Sequence, residues 1–453
     1  MQPTRRRFLA GSLAAALGGV VIPGYHVLGA DAKAAKAKDK EKDTEKPPTT
    51  KPSSSPSVED ATFVPTTLFL TWFRDPTTTM VVQWVGTAGE TSDARVYYAG
   101  GKDKLWHAQP TIARPYPTTD FKVYRAELSG LVPGTEYQFR IGKSSPTWKF
   151  KTMPAKATDT VTFISGGDCG VNPHAVANNV QAARQDPAFA LIGGDLGYDN
   201  GRSVEVSLAF LRNYSRTMAA REGRLIPMVT CIGNHEVDGG YDKPRAKAPF
   251  FYALFDGLYP ETGHATLDFG DYLSLVLLDT GHTTRIDGAQ TSWLEKVLRE
   301  RQDHPNVFVA NHVPAYPSYR KMATTPATQP GVSPKAGTGA LQREHWCPLF
   351  DRYRVPVVLE HHDHTFKRTK PLIDGMARDD GVLYLGDGSW GRLRNPSAPD
   401  KLTFLAKSSR DYHLSLHRLE GEERFHIALD EFGRVMDVGR SGQRKRGAVA
   451  VPG

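Results

Sequence analysis

The stretch VTFISGGDCG, residues 161–170, reads as a short buried strand that ends in glycines and a carboxylate, Asp168. The same texture returns four times downstream. FALIGGDLGY (189–198) closes on Asp195 and Tyr198, and LIPMVTCIGNHE (225–236) on Asn234, His235 and Glu236. NVFVANHVPAY (306–316) delivers His312, and VPVVLEHHDH (355–364) delivers His362 and His364. Apolar strand runs followed by helical patterns are the signature of an α/β layered domain, and such folds place their chemistry at the carboxyl ends of strands. One buried Asp or His is ordinarily a satisfied structural residue. Five successive strand ends each offer a metal-capable side chain, three of them beside glycines, and together they point to a site.

These residue types suit two cations rather than one. Ions roughly 3.5–4 Å apart need a shared ligand, and a carboxylate with two oxygens can bridge them. Asp195, central among the motifs, is the natural bridge. Glycines beside the ligands let the backbone turn sharply and a phosphate approach closely. An Asn carbonyl oxygen and imidazole nitrogens suit a divalent first-row ion, whereas a phenolate with carboxylates suits a harder ion such as Fe(III).

Asp168-x-Gly170, Gly194-Asp195-x-x-Tyr198, Gly233-Asn234-His235-Glu236, the strand-end His312 and the final x-His362-x-His364 together resemble the calcineurin-like metallophosphoesterases. Tyr198, with Gly170 where other members carry His, narrows the resemblance to purple acid phosphatases. It covers roughly residues 62–395. It implies a four-layer αββα sandwich of α/β class behind an all-β domain. One metal would sit on Asp168, Asp195, Tyr198 and His364, the second on Asp195, Asn234, His312 and His362. His235 would be the general acid or phosphate-binding group. The implied cofactors are Fe(III) and a second divalent metal (Fe, Zn or Mn). The implied reaction is hydrolysis of a small phosphate monoester by metal-activated hydroxide. A phosphodiesterase or nucleotide pyrophosphatase would use the same site. An inactive phosphatase-fold surface-binding protein is the rival of another class, and the intact motif set stands against it.

Three places depart from that pattern. After His312-x-Pro314-x-Tyr316-x-Ser318, plant-type members carry two histidines, but here the chain reads Tyr319-Arg320-Lys321-Met322. Arg320 and Lys321 are therefore candidate substrate-binding cations, with a solvated basic loop as the alternative. His361 stands where relatives have Gly, and would be strained if that backbone needs positive φ. Lys367 stands where relatives often have an acid. Residues 317–340, rich in Pro, Thr and Gly, are expected to form a specificity loop.

Ahead of this domain, LFLTWF (68–73), MVVQWV (80–85), ARVYYA (94–99), VYRAEL (123–128), YQFRI (137–141) and WKFKTM (148–153) predict a small antiparallel sandwich. Leu131-Val132-Pro133-Gly134-Thr135, with Tyr137 and Phe139, resembles a turn and strand of fibronectin type III modules. Behind the motifs, DYHLSLHRLEG (411–421), ERFHIALDEFG (423–433) and RVMDV (434–438) are expected to complete the second sheet, with His413, His417 and His426 packing on its face.

At the start, Arg5-Arg6-Arg7-Phe8-Leu9 precedes an apolar run to Ile22, and Ala30-Asp31-Ala32 offers a cleavage site. This resembles a twin-arginine signal, implying the twin-arginine export machinery as partner and a periplasmic or secreted location. No stable membrane span is expected after cleavage. The organisation expected is a signal peptide over 1–32, a disordered linker over 33–61, a fibronectin III-like sandwich over 62–154, the metallophosphoesterase domain over 155–438 and a disordered tail over 439–453. The formal net charge of +8 sits partly in residues 1–60, which hold ten Lys/Arg against seven Asp/Glu. The excess does not call for a specific nucleic-acid groove. Three cysteines, Cys169, Cys231 and Cys347, make no disulfide framework and are expected to be packing thiols.

Overall fold

Residues 62–101, 104–157, 160–322, 337–421 and 423–442 are described by the computed structural model. The signal and linker expected over 1–61, most of the 317–340 loop and the chain beyond 442 lie outside the described residues. Among the described residues, no helix is long and apolar enough to cross a membrane.

The first region is all-β, built of two four-stranded antiparallel sheets. One orders Phe69–Thr71, Met80–Gly86, Lys122–Leu128 and Ile112–Pro115; the other orders His107–Gln109, Val96–Gly100, Glu136–Ile141 and Trp148–Lys151. Tyr137, Phe139 and Ile141 alternate inward, as a half-buried strand requires. The Tyr137 hydroxyl accepts the Val132 amide at 2.9 Å, so the Pro-Gly turn is pinned to the strand it feeds. Two strands were missed in the sequence, His107–Gln109 and Ile112–Pro115. Both are short edge strands with mostly exposed residues, so neither carries a buried alternation to read.

Met80–Gly86 is buried on both faces, because its outer face meets the next domain. There Gln83 Nε2 donates to the Leu254 carbonyl at 2.8 Å, and Arg125 pairs with Asp256 at 2.7 Å. Trp72 sits edge-on to Phe189 and Phe269. The β region and the α/β region thus share one core.

The second region stacks two mixed sheets. A six-stranded sheet orders Met228–Thr230, Ala190–Ile192, Val161–Gly166, His413–Glu420, Glu423–Asp430 and Val435–Ser441. A seven-stranded sheet orders Ala265–Phe269, Leu273–Leu278, Val307–Asn311, Val357–Glu360, Leu383–Asp387, Phe366–Thr369 and Leu405–Ser409. Period-two alternation decides which side chains meet: Leu275 and Leu277 join the core between the sheets, while Val276 and Leu278 join a second core outside. Phe163 from one sheet meets Phe308 from the other, with ring centroids 5.2 Å apart. Leu294, Val297 and Leu298 of the helix Ala289–Glu300, with Trp346, Leu349 and Phe350, cover the outer face of the larger sheet. Helices Pro173–Arg184 and Val204–Thr217 pack beside the smaller sheet. The first of these starts where Asn172 caps the Ala175 amide, with proline at the first turn. The layers run α, β, β, α, as the resemblance implied.

Two expectations need correction. The C-terminal strands do not extend the later sheet; His413–Glu420 pairs antiparallel with Val161–Gly166 and enlarges the earlier one. Residues 439–441, expected in a disordered tail, belong instead to the strand Val435–Ser441, which pairs with Glu423–Asp430 out to Ser441. Its polar sequence carries little hydrophobic signal, and the ladder holds it in place. The buried Arg424 guanidinium helps by donating to the Gly442 carbonyl and to Asn306. His417 and His426 pack edge to face within the sandwich, with ring nitrogens 2.9 Å apart, and His417 meets Ser165 at 2.7 Å. The three cysteines are free and buried.

Candidate metal centre

Parallel pairing brings the motif-bearing strand ends together. Gly166 and Thr230 flank Ile192 in register, and Asn311 lies opposite Glu360, so four motifs and the fifth emerge at the same edge of the sandwich. The turns that follow are sharp. Asp168, Asp195, Tyr198, His362 and His364 all have φ between 54° and 69°, the left-handed region that side chains rarely enter. Each such residue costs on the order of 1–3 kcal/mol, and clusters of them mark functional sites. Gly194 has φ +88°, and a Cβ there would stand 2.7 Å from the Gly233 amide nitrogen, so only glycine fits. His361 is not strained: it lies outside the positive-φ residues. Its ring fills the space left by Gly167 and Gly193, and Nδ1 bonds the Asn311 carbonyl at 3.0 Å.

The side chains converge in two linked groups. In one, the Tyr198 hydroxyl stands 3.1 Å from Asp168 Oδ1 and 2.9 Å from His364 Nε2, with His364 Nε2 3.0 Å from Asp168 Oδ1. In the other, His312 Nε2 lies 3.1 Å from Asn234 Oδ1, 3.0 Å from His362 Nδ1 and 3.3 Å from Asp195 Oδ2. Asp168, Asp195, His312 and His362 each offer a donor atom within 4.8 Å of all the others. All seven expected ligand residues are therefore together. Asp195 Oδ2 is buried with no hydrogen-bond partner, which is costly unless a cation takes it up. The orphaned oxygen among crowded lone-pair donors fits a metal pair.

The supports are as specific as the donors. Glu236, fully enclosed, accepts the amides of Asp195 (2.8 Å), Leu196 (2.7 Å) and Gly233 (2.8 Å), fixing the bridge-candidate carboxylate and its turn. Asp195 Oδ1 accepts the His235 amide at 2.8 Å, and Asp168 Oδ2 the His362 amide at 2.7 Å. His312 Nδ1 donates to the Gly193 carbonyl at 2.8 Å, which turns the Nε2 lone pair inward. His235 bonds Asn200 through Nδ1, leans on the Tyr198 ring at 4.3 Å, and holds Nε2 4.0 Å from Asp195 Oδ2.

Charge within the cluster follows the geometry. Burial pushes Asp195 up, but His312 more than offsets this and holds its carboxyl well below the usual range. Burial likewise pushes His312 down, and Asp195 with Asp168 reverses that, raising it to about 9. Burial drives His362 well down, with His312 and Arg320 adding to the effect. Burial, then Asp168 and Asp195, raise Tyr198 well above its ordinary value, so this phenol loses its proton only to a cation placed against it.

Around the mouth, Arg320 donates to the His362 carbonyl and to Asp363 Oδ1 at 3.1 Å, so its guanidinium is tied down. Asp363 also accepts the Tyr319 amide at 2.9 Å. Lys321 is exposed. Sequence reasoning missed Arg392, Arg394, Tyr241 and Asn200. Arg392 lies 4.2 Å over the Tyr198 ring, Arg394 Nε approaches His364 Nδ1 at 3.3 Å, and the Tyr241 hydroxyl is 3.2 Å from His362 Nε2. Irregular segments carry these residues, and no spacing rule singles them out.

Comparisons with known proteins agree with this geometry. Residues 65–152 match the family model described as purple acid phosphatase, N-terminal domain, and residues 162–366 that of the calcineurin-like phosphoesterases. The chain is 26% identical to purple acid phosphatase 21 of Arabidopsis thaliana over 61% of this chain and 62% of that protein. It is also 26% identical to acid phosphatase type 7 of Homo sapiens, over 55% of this chain and 57% of that protein. The chain thus spans about three-fifths of the length of the curated relatives it matches. Among solved structures, it resembles a purple acid phosphatase from yellow lupin (Lupinus luteus) seeds with a TM-score of 0.65 at 16% identity. That likeness covers 82% of this chain and 73% of the lupin chain, and it concerns the fold.

Proposed function

The chain belongs to the purple acid phosphatase-like metallophosphoesterases, and on that premise we propose that it hydrolyses phosphate monoesters at a two-metal site. The observation that carries this reading is the convergence of Asp168, Asp195, His312 and His362 around the unsatisfied Asp195 Oδ2. Asp168, Asp195, Tyr198 and His364 would hold one ion, with Fe(III) suited to the phenolate. Asp195, Asn234, His312 and His362 would hold a second, divalent ion (Fe, Zn or Mn). When bound, such a pair supplies charge neutralisation for the phosphate and a water of lowered pKa.

The chain's own groups then have distinct tasks. Glu236 keeps the Asp195 turn rigid through three amides. Gly193 holds His312 in the tautomer whose Nε2 faces inward. His235 lies beside Asp195 with its side chain 29% exposed, so a leaving alcohol can reach it. Its Nδ1–H is held by Asn200 Oδ1, so the proton that would pass to the leaving oxygen is the one Nε2 carries in the imidazolium form. His235→Ala is expected to lower kcat by roughly 10²–10⁴-fold on an alkyl phosphate. On p-nitrophenyl phosphate, whose leaving group needs no proton, the loss should be much smaller. Equal losses on both would contradict the proton-donor role. The monoester reading itself is tested by rates on p-nitrophenyl phosphate and bis(p-nitrophenyl) phosphate: faster diester turnover would make this a phosphodiesterase.

Export is part of the same proposal, supported by Arg5-Arg6-Arg7-Phe8-Leu9 and the apolar run behind it. Lysines in place of the arginines should leave active protein inside the cell; undiminished export would count against the twin-arginine route.

A further inference from the structure

After the strand Leu383–Asp387, the chain runs as an irregular wall along the metal centre. Backbone bonds stitch it there: the Trp390 amide to the Gly167 carbonyl at 3.2 Å, Gly391 to Asp168 at 3.1 Å and Arg394 to His364 at 2.8 Å. Trp390 anchors the wall, fully buried, with its indole N–H on Asn179 and the Ala175 carbonyl. Two arginines project from this fixed wall toward the site. Arg392 lies over the Tyr198 ring, and Arg394 reaches both His364 and the Tyr319 hydroxyl, the latter at 3.3 Å.

Their pairing state sets them apart. Arg320, across the mouth, is neutralised by Asp363. Among the described residues, neither Arg392 nor Arg394 forms an ion pair with a carboxylate. The Arg394 bond to His364 is also conditional. If His364 Nε2 turns its lone pair to the cluster, Nδ1 carries the proton and cannot accept from Arg394 Nε. The guanidinium then faces an N–H and is free for another acceptor. Two cations beside a phosphate site, with no carboxylate partner among the described residues, fit a ligand that brings a second negative group.

Resting on the phosphatase reading above, we propose that Arg392 and Arg394 form a second anion subsite that selects the substrate class. The preferred substrate is a phosphate monoester whose leaving alcohol carries a further phosphate or carboxylate a short carbon chain away.

The test compares kcat/KM for glycerol 3-phosphate, 3-phosphoglycerate and glycerol 1,3-bisphosphate in the wild type and in an Arg392→Gln/Arg394→Gln variant. The wild type should favour the two substrates that carry a second anionic group by roughly tenfold or more, the scale of a charge-assisted hydrogen bond. Which of the two is better tells carboxylate from phosphate. In the variant that ratio should collapse toward one, whatever happens to the absolute rates, and Arg→Lys should restore part of it. A wild-type ratio near one overturns the proposal. So does a variant that slows all three substrates alike, because arginines that merely prop up Tyr198 and His364 would leave the ratio unchanged. Calorimetric binding of 3-phosphoglycerate and glycerol 3-phosphate to the same proteins reads the subsite without turnover. A protein that turns over no monoester yet shows the binding preference would refute the phosphatase reading and leave the subsite standing.

Discussion

Asp195→Asn should strip both metal ions from the protein and lower kcat/KM by roughly 10³-fold or more. The substitution keeps the shape of the side chain and can keep the 2.8 Å bond that Oδ1 accepts from the His235 amide. What it removes is the negative charge, and one of its two terminal atoms becomes an NH₂ that cannot act as a ligand. Oδ2 is the buried oxygen with no hydrogen-bond partner, 3.3 Å from His312 Nε2, and Asp195 is the residue common to both proposed ion positions. Replacing a residue that serves one ion only, such as Asn234→Ala, should leave close to one ion per chain. Elemental analysis of the two variants separates a bridge from an ordinary ligand. Retention of one full ion by the Asp195 variant would show that the carboxylate is not shared.

The largest expected loss of stability lies behind the centre, at Lys367 and Glu360. Their side chains are 1% and 0% exposed, and Nζ lies 2.6 Å from Oε2. Lys367 also donates to the Tyr316 carbonyl, while Glu360 Oε1 accepts the Ala315 amide at 2.6 Å. The pair therefore ties the loop after His312 to the end of the strand Val357–Glu360, just ahead of His361-His362. A buried ion pair contributes little net stability against an apolar replacement, but breaking one is costly because the survivor keeps an uncompensated charge. Lys367→Met should destabilise the protein by about 3–5 kcal/mol, read as a lowered denaturation midpoint. Adding Glu360→Gln, whose side-chain oxygen still accepts from Ala315, should recover much of that loss. A single variant within about 0.5 kcal/mol of wild type, the range of an ordinary surface change, would refute the account of this pair.

How far the sequence carried the fold depends on where each signal lies. The strand ends were legible because buried parallel strands are near-continuous apolar runs, and glycine next to a polar residue marks where each one stops. All seven expected ligand residues stood at or just after such strand ends, and the structure brings their side chains together. Glu236 was visible in its motif, yet its role was not, since its bonds to the Asp195 and Leu196 amides, some forty residues away, exist only once the chain has folded. Arg320 looked like a phosphate cation, but Asp363 lies beside it in space as its ion-pair partner. Arg392 and Arg394 carried no signal at all, because surface arginines in an irregular segment have no period. His361 was suspected of backbone strain that falls instead on His362 and His364. Edge strands such as His107–Gln109 were lost for want of a buried face. Local pattern thus names the donors, and tertiary contacts decide what surrounds them.

The proposal of a mixed, phenolate-bearing metal pair is tested most directly by metal content and visible spectrum, measured together on natively loaded wild type and Tyr198→Phe. The account predicts two ions per chain, one of them iron, and a visible absorption band that the phenylalanine variant loses. Wild-type protein that binds no metal, or a band that survives in Tyr198→Phe, would contradict it.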